Sequence, residues 1–337
     1  MGIAEARLVE ADRGVHAVPE QLRFFDLARQ RAQALAPTLA RLRQHPEQEP
    51  PGYLWGLPIL VKDLTTVKGA PCTYGSPLHR WSIAEHNHPM IDVLEGHGGI
   101  PFAKSNTPEF GAGAHSFNSL FATTATPHDE TKTAGGSSGG SAASLAACSC
   151  WLATGTDLGG SLRIPAAFCG VVGLRPSPAL VPQLPSAAPF DSLHSLHGPM
   201  ARSVEDLALL LDATAGDTGW SFRCRSQTDR AHSFFEAARV GRAAAAAGEP
   251  LRDVQLVFDA DIGGTCAGFI DPEIVAVCSQ AAATLRAAAR PGAGDAGSVS
   301  DTKSSPLAPI FRGVDVESLF RVLRAEVMPC FCVRSLM

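Results

Sequence analysis

The sequence predicts an α/β fold, with a mixed central β-sheet covered by helices on both faces. Three observations point there. Short apolar runs bounded by glycine and proline recur along the chain, as buried strands do. Between them lie segments with apolar residues at a 3.6-residue period, as helices packed on one face have. The 337 residues are 45% hydrophobic and 18% charged, the composition of a globular chain long enough for a large core.

In chain order, Pro19 to Gln44 reads as helix, with Pro37 expected to kink or split it. Ile59-Leu60-Val61 reads as a buried strand with Lys62 at its end. Residues 64–77 read as a loop, Pro89–His97 as a helix closed by Gly98-Gly99, and Ile100–Lys104 as a second strand. Ser141–Cys150 has helix-favouring composition, with Ser141 a candidate N-cap, and Trp151–Thr154 reads as a strand. The proline-rich stretch to Pro199 reads as irregular. Ser203–Ala213 is a helix with Ser203 as N-cap and Asp206 completing a capping box. Val254–Phe258 reads as a strand and Asp271–Arg286 as a helix. Three segments follow: a helical 1–48 packing on the core, a core over 49–286, and a Gly/Ser/Ala-rich 287–337 expected to order poorly.

Several function classes are disfavoured. A net charge of −5 without a basic block gives a nucleic-acid partner no electrostatic support. No run has the length of a membrane span, and the acidic N-terminal stretch lacks an apolar signal core. Cytoplasm is the expected compartment. The nine cysteines lack zinc spacing and read as reduced, small core residues. His86 and His88 have no third ligand nearby. Neither a metal nor a cofactor is expected.

The chemistry concentrates between Thr133 and Arg175. Gly135-Gly136-Ser137-Ser138-Gly139-Gly140 and Asp157-Leu158-Gly159-Gly160-Ser161 are two glycine-rich turns joined by an apolar segment. Glycine allows unusual backbone angles and lets N–H groups approach a substrate. Such a stretch is either a flexible linker, open to proteases, or an active site. A serine nucleophile needs a base at neutral pH. No histidine stands in an activating context, and the G-x-S-x-G elbow is absent. A lysine held neutral can serve, and Lys62 is the candidate.

Taken together, GGSSGGSAAS, GTDLGGSLRIPAAFCGVVGLRPS and the upstream GLPILVKD resemble the amidase signature family of serine hydrolases, over roughly Pro58 to Gly216. The resemblance implies the amidase signature fold and a Ser–cis-Ser–Lys triad. Ser161 is then the nucleophile, Ser137 the bridging serine on a cis peptide bond, and Lys62 the base. The backbone N–H groups of Leu158, Gly159, Gly160 and Ser161 would form the oxyanion hole. Ser138 would support the triad, and Asp157, paired with Arg163, would anchor the turn. The implied substrate is a small-molecule amide, cleaved to a carboxylic acid and ammonia or an amine. Phe110, Phe117, Phe121 and Phe190 hint at an apolar acyl pocket, and a homodimer is left open.

Two alternatives stand beside this reading. After residue 286 the chain departs from the family pattern, which suggests a truncated, catalytically impaired relative. The family also contains the glutaminase subunits of tRNA-dependent amidotransferases. Those usually carry Gln after the motif's Arg, where this chain has Arg163-Ile164, and a tyrosine-rich stretch, whereas this chain has two Tyr.

Overall fold

The apolar runs of the sequence become the strands of one mixed sheet. The computed structural model describes residues 1–178, 180–183, 195–216, 233–248, 258 and 270–288. Its sheet is built from β1 (Pro58–Lys62), β2 (Ile100–Ser105), β5 (Leu152–Asp157), β6 (Val172–Gly173) and β7 (Leu196–Ala201). Their order is β2-β1-β5-β7-β6. β1 runs parallel to β2 and β5, while β7 is antiparallel to β5 and β6. A separate hairpin pairs β3 (Ala125–Thr126) with β4 (Asp129–Thr133).

Successive strand residues face opposite sides of a sheet, and two cores result. Leu60, Ala103, Ala153 and Met200 face one side. They pack with Ala4 and Leu8 of α1 (Gly2–Ala11), Ala28 of α2 (Phe25–Gln44) and Ala142, Ala143 and Leu145 of α4 (Gly139–Ala146). Ile59, Val61, Leu152 and Ala201 face the other. They pack with Met90, Ile91 and Leu94 of α3 (Pro89–Gly96) and Leu207, Leu210 and Leu211 of α6 (Val204–Thr214). Because both faces are covered, β1 is buried at every position, Lys62 included.

The N-cap at Ser203 is present: its hydroxyl accepts from Asp206 N at 3.1 Å, and the Asp206 carboxylate, expected to complete a capping box, accepts from that hydroxyl at 2.8 Å. α2 runs continuously through Pro37. Ser141 is not an N-cap. α4 begins at Gly139, two residues earlier than its composition suggests, and the Ser141 hydroxyl donates to Thr154 O at 2.8 Å. α1, β7, the hairpin and α5 (Arg163–Cys169) have no counterpart among the elements read from sequence.

The chain divides into a unit Met1–Arg239, which holds the sheet and every candidate site residue, and a unit Val240–Met337. α7 (Phe234–Ala246) begins in the first unit, where Phe234 N and Phe235 N donate to the Asp212 carboxylate at 3.0 and 2.9 Å. The second unit contains α8 (Pro272–Ala288). Residues 254–257 of the expected strand Val254–Phe258 and the tail beyond 288 lie outside the described residues, and Phe258 itself is not in a strand.

Candidate active site

Parallel strands deliver their C-terminal ends to the same edge of a sheet, and ligands bind beyond that edge. Lys62 ends β1, Asp157 ends β5, and the first glycine turn leads into α4 between them. The turn is not a linker: Gly135 to Gly140 are all buried. The Gly136–Ser137 peptide is cis, as the resemblance implies. The Ser116 hydroxyl braces the turn. It donates to Gly135 O at 3.1 Å and accepts from Gly139 N at 2.9 Å.

The Lys62 Nζ lies 2.7 Å from Ser137 Oγ, 2.8 Å from Thr156 Oγ1 and 3.0 Å from Ser138 Oγ. Desolvation by complete burial lowers the Lys62 pKa to about 7, against the raising influence of the Asp157 charge. A neutral amine has two N–H groups and one lone pair for its three hydroxyl neighbours. The Ser138 hydroxyl donates to Thr156 O at 3.3 Å, so towards Lys62 it can only accept. The lone pair therefore faces Ser137 or Thr156.

Asp157 organises the second turn. It accepts from Arg163 Nε and Nη2, each at 3.0 Å, and from Gly160 N and Leu162 N at 3.0 and 3.2 Å. Arg175 Nη1 adds a contact to Asp157 Oδ1 at 3.3 Å and a short one to Asp157 O. Burial pushes the Asp157 carboxyl up, but these hydrogen bonds and charges outweigh it and hold the pKa below the usual value. One expected oxyanion donor is thereby used: the Gly160 N–H points to Asp157 rather than to a substrate. Among the described residues, the N–H groups of Leu158, Gly159 and Ser161 have no acceptor and the Ser161 hydroxyl has no partner. The Ser161 carbonyl accepts from Ser138 N at 3.2 Å, which ties the two turns together.

Thr156, Arg175 and Ser116 belong to this site and are not singled out by the sequence. The one signal for Thr156 is its place beside Asp157. For Ser116 there is none. Behind Thr156 on β7 stands His197, buried against His88 with ring centroids 4.2 Å apart. Burial lowers both histidine pKa values, that of His88 to about 3, so this side presents no cation to Lys62. Cys169 is a buried core residue whose thiol is pushed up to about 11 by burial. Phe110 and Phe117 are exposed and Phe121 half-buried, while Phe190 lies outside the described residues.

The family model described as Amidase matches residues 13–254. The chain belongs to the amidase signature family. Among curated relatives, an acylamidase of Rhodococcus erythropolis is 37% identical over 243 residues, 72% of this chain and 48% of that protein. A glutamyl-tRNA(Gln) amidotransferase subunit of Synechococcus sp. is 41% identical over 214 residues, 64% of this chain and 43% of that protein. A solved 6-aminohexanoate cyclic dimer hydrolase, complexed with substrate, superposes with a TM-score of 0.69 at 25% identity, covering 85% of this chain and 54% of that one. A bacterial aryl acylamidase of the amidase signature family gives 0.66 at 26% identity, covering 86% and 56%. The chain spans about half the length of the curated relatives it matches.

Proposed function

We propose that this protein is an amidohydrolase that cleaves linear carboxylic amides through an acyl-enzyme on Ser161. The observation that carries the reading is Lys62: a buried amine with its pKa brought to about 7, 2.7 Å from Ser137 Oγ. Neutral Lys62 takes the Ser137 proton as Ser137 takes that of Ser161, and the Ser161 oxygen bonds to the amide carbon. The N–H groups of Leu158, Gly159 and Ser161 receive the oxyanion, a role in which one donor is typically worth about 2.7–4 kcal/mol. Ser137 then protonates the amide nitrogen, recovering its own proton from Lys62, and the C–N bond breaks. Water enters by the same relay in reverse and releases the acid. Ser138 and Thr156 hold the lysine, while Asp157 and Arg163 hold the turn.

The decisive experiment is labelling with a fluorophosphonate and mapping of the adduct. Adduct at Ser161 that disappears in Lys62→Ala is the expected result. A folded chain that never labels overturns the reading. The amidotransferase relatives favour a second reading, in which glutamine is the amide and partner subunits consume its ammonia. It predicts glutamine hydrolysis well above that of acetamide. Arg163-Ile164 in place of Arg-Gln argues for the stand-alone amidase.

A further inference from the structure

The loops bordering Ser137 carry an aromatic cluster that the triad does not use. Tyr74 and Phe110 stack at 6.5 Å between centroids with 25° between planes, and His79 packs edge-on to both, at 5.1 and 6.1 Å. Two polar ties hold the loops together: Phe110 N donates to Tyr74 O at 2.7 Å, and Ser76 Oγ to Glu109 Oε1 at 2.6 Å. Tyr74 and Phe110 sit at φ 52° and 51°, and Gly111 follows at φ 71°. Non-glycine residues held in this region persist where the surroundings fix them, and they gather at ligand sites. Despite this investment, the Phe110 side of the cluster faces outward, 53% exposed.

Its place relative to the relay gives it a role. A Cβ on Gly111 would stand 3.6 Å from Ser137 Oγ, so the loop that carries Phe110 passes beside that hydroxyl at Gly111. In the proposed reaction, on which this inference rests, Ser137 delivers the proton to the amide nitrogen. That nitrogen must then lie on the Ser137 side of the carbonyl, the side on which Gly111, next to Phe110, borders the hydroxyl. The acyl substituent leaves in the opposite direction.

We propose that Phe110, supported by Tyr74 and His79, is the subsite for the amine half of the substrate and selects an aryl group there, making N-aryl amides the favoured class. An aryl ring can stack on Phe110 as aromatic pairs do. This reassigns Phe110, which the sequence associates with the acyl half.

The test compares kcat/KM for acetanilide, benzamide and acetamide in the wild type, Phe110→Asn and Phe110→Tyr. Asn accepts the left-handed backbone and removes the ring, whereas Tyr keeps it. The acetanilide-to-acetamide ratio should fall about tenfold in Phe110→Asn and stay within about twofold of wild type in Phe110→Tyr. The benzamide-to-acetamide ratio should not move. An unmoved acetanilide ratio, or a fall in the benzamide ratio instead, overturns the subsite. A second measurement needs no variant: aniline should protect Ser161 from the fluorophosphonate at lower concentration than benzoate, and the reverse order overturns the subsite. Wild type that neither labels nor hydrolyses any of the three amides overturns the underlying reaction, and the subsite with it. Labelled Ser161 with unmoved ratios overturns the subsite alone.

Discussion

Lys62 Nζ and Ser137 Oγ stand 2.7 Å apart, and neither residue is more than 1% exposed. Burial lets the lysine be uncharged near neutral pH, because water is not there to stabilise its charge. The proton it must lose is lost near pH 7. Below that value the amine is charged and its lone pair is gone. kcat/KM for an amide should therefore rise about tenfold per pH unit on the acid side and level off above about 7. A profile flat from pH 5 to 8 would remove Lys62 from the role of base.

The same shift governs stability. The folded pKa lies below the ordinary 10.5. Between about 7 and 10.5 the unfolded chain binds a proton at residue 62 that the folded chain does not, so stability rises with pH across that window. Below about 7 both states bind it and the slope vanishes. Wild type should gain on the order of 4 kcal/mol relative to Lys62→Met between the two limits. Urea denaturation of both proteins from pH 6 to 10.5 measures the difference directly. The comparison is independent of the hydroxyls the Met leaves unpaired, since they do not titrate.

Thr156 accepts from Lys62 at 2.8 Å and favours the charged amine. Thr156→Val keeps the shape and removes the acceptor. The acid limb of the profile should shift to lower pH, and kcat should fall about tenfold or more as the amine loses one of its three anchors. Thr156→Ser should restore both. A lowered kcat with an unshifted limb would mean Thr156 acts through packing alone.

The parts of this site that are legible in the sequence are those that local chain geometry creates. Two glycine turns, their serines and a lysine closing an apolar strand can be found without knowing what touches what. Thr156 and Arg175 act only through contacts that exist once β1 and β5 are side by side and the chain has returned past residue 170. β7 is hidden by Gly198 and Pro199, since proline lacks the ladder donor and usually argues against an inner strand. Here the Pro199 carbonyl still accepts from Leu174 N at 3.2 Å. α5 is hidden by Pro165, which falls in the first turn, where no intrahelical N–H bond is lost.

Asp157 neutralises two guanidinium groups while itself shielded from solvent. Asp157→Asn keeps one acceptor oxygen but removes the carboxylate charge that Arg163 pairs with at 3.0 Å. Breaking a buried pair from one side costs about 3–5 kcal/mol. Thermal unfolding should register that loss. Because the Asp157 charge also raises the Lys62 pKa, the acid limb of the rate profile should move to lower pH in the same variant. Loss of stability without that movement would confine Asp157 to the turn.

Gly140 opens a last test, on why the turn is glycine at a position that needs no special φ. A Cβ there would stand 2.6 Å from Ala17 O and 2.5 Å from Asn106 N, both backbone atoms that cannot swing aside. Gly140 N donates to Asn106 O, and Asn106 N to Ala17 O, so the three segments lock on one another. Gly140→Ala must therefore move the α4 N-terminus away from β2. Overpacking of this kind costs about 1–3 kcal/mol. The larger expected effect is on rate, because displacing α4 displaces Ser137 from Lys62, and misplacement by about 1 Å can cost a hundredfold. Gly241, with nothing within 4 Å of its would-be Cβ, supplies the comparison: Gly241→Ala should leave fluorophosphonate labelling of Ser161 at the wild-type rate, whereas Gly140→Ala should slow it about a hundredfold.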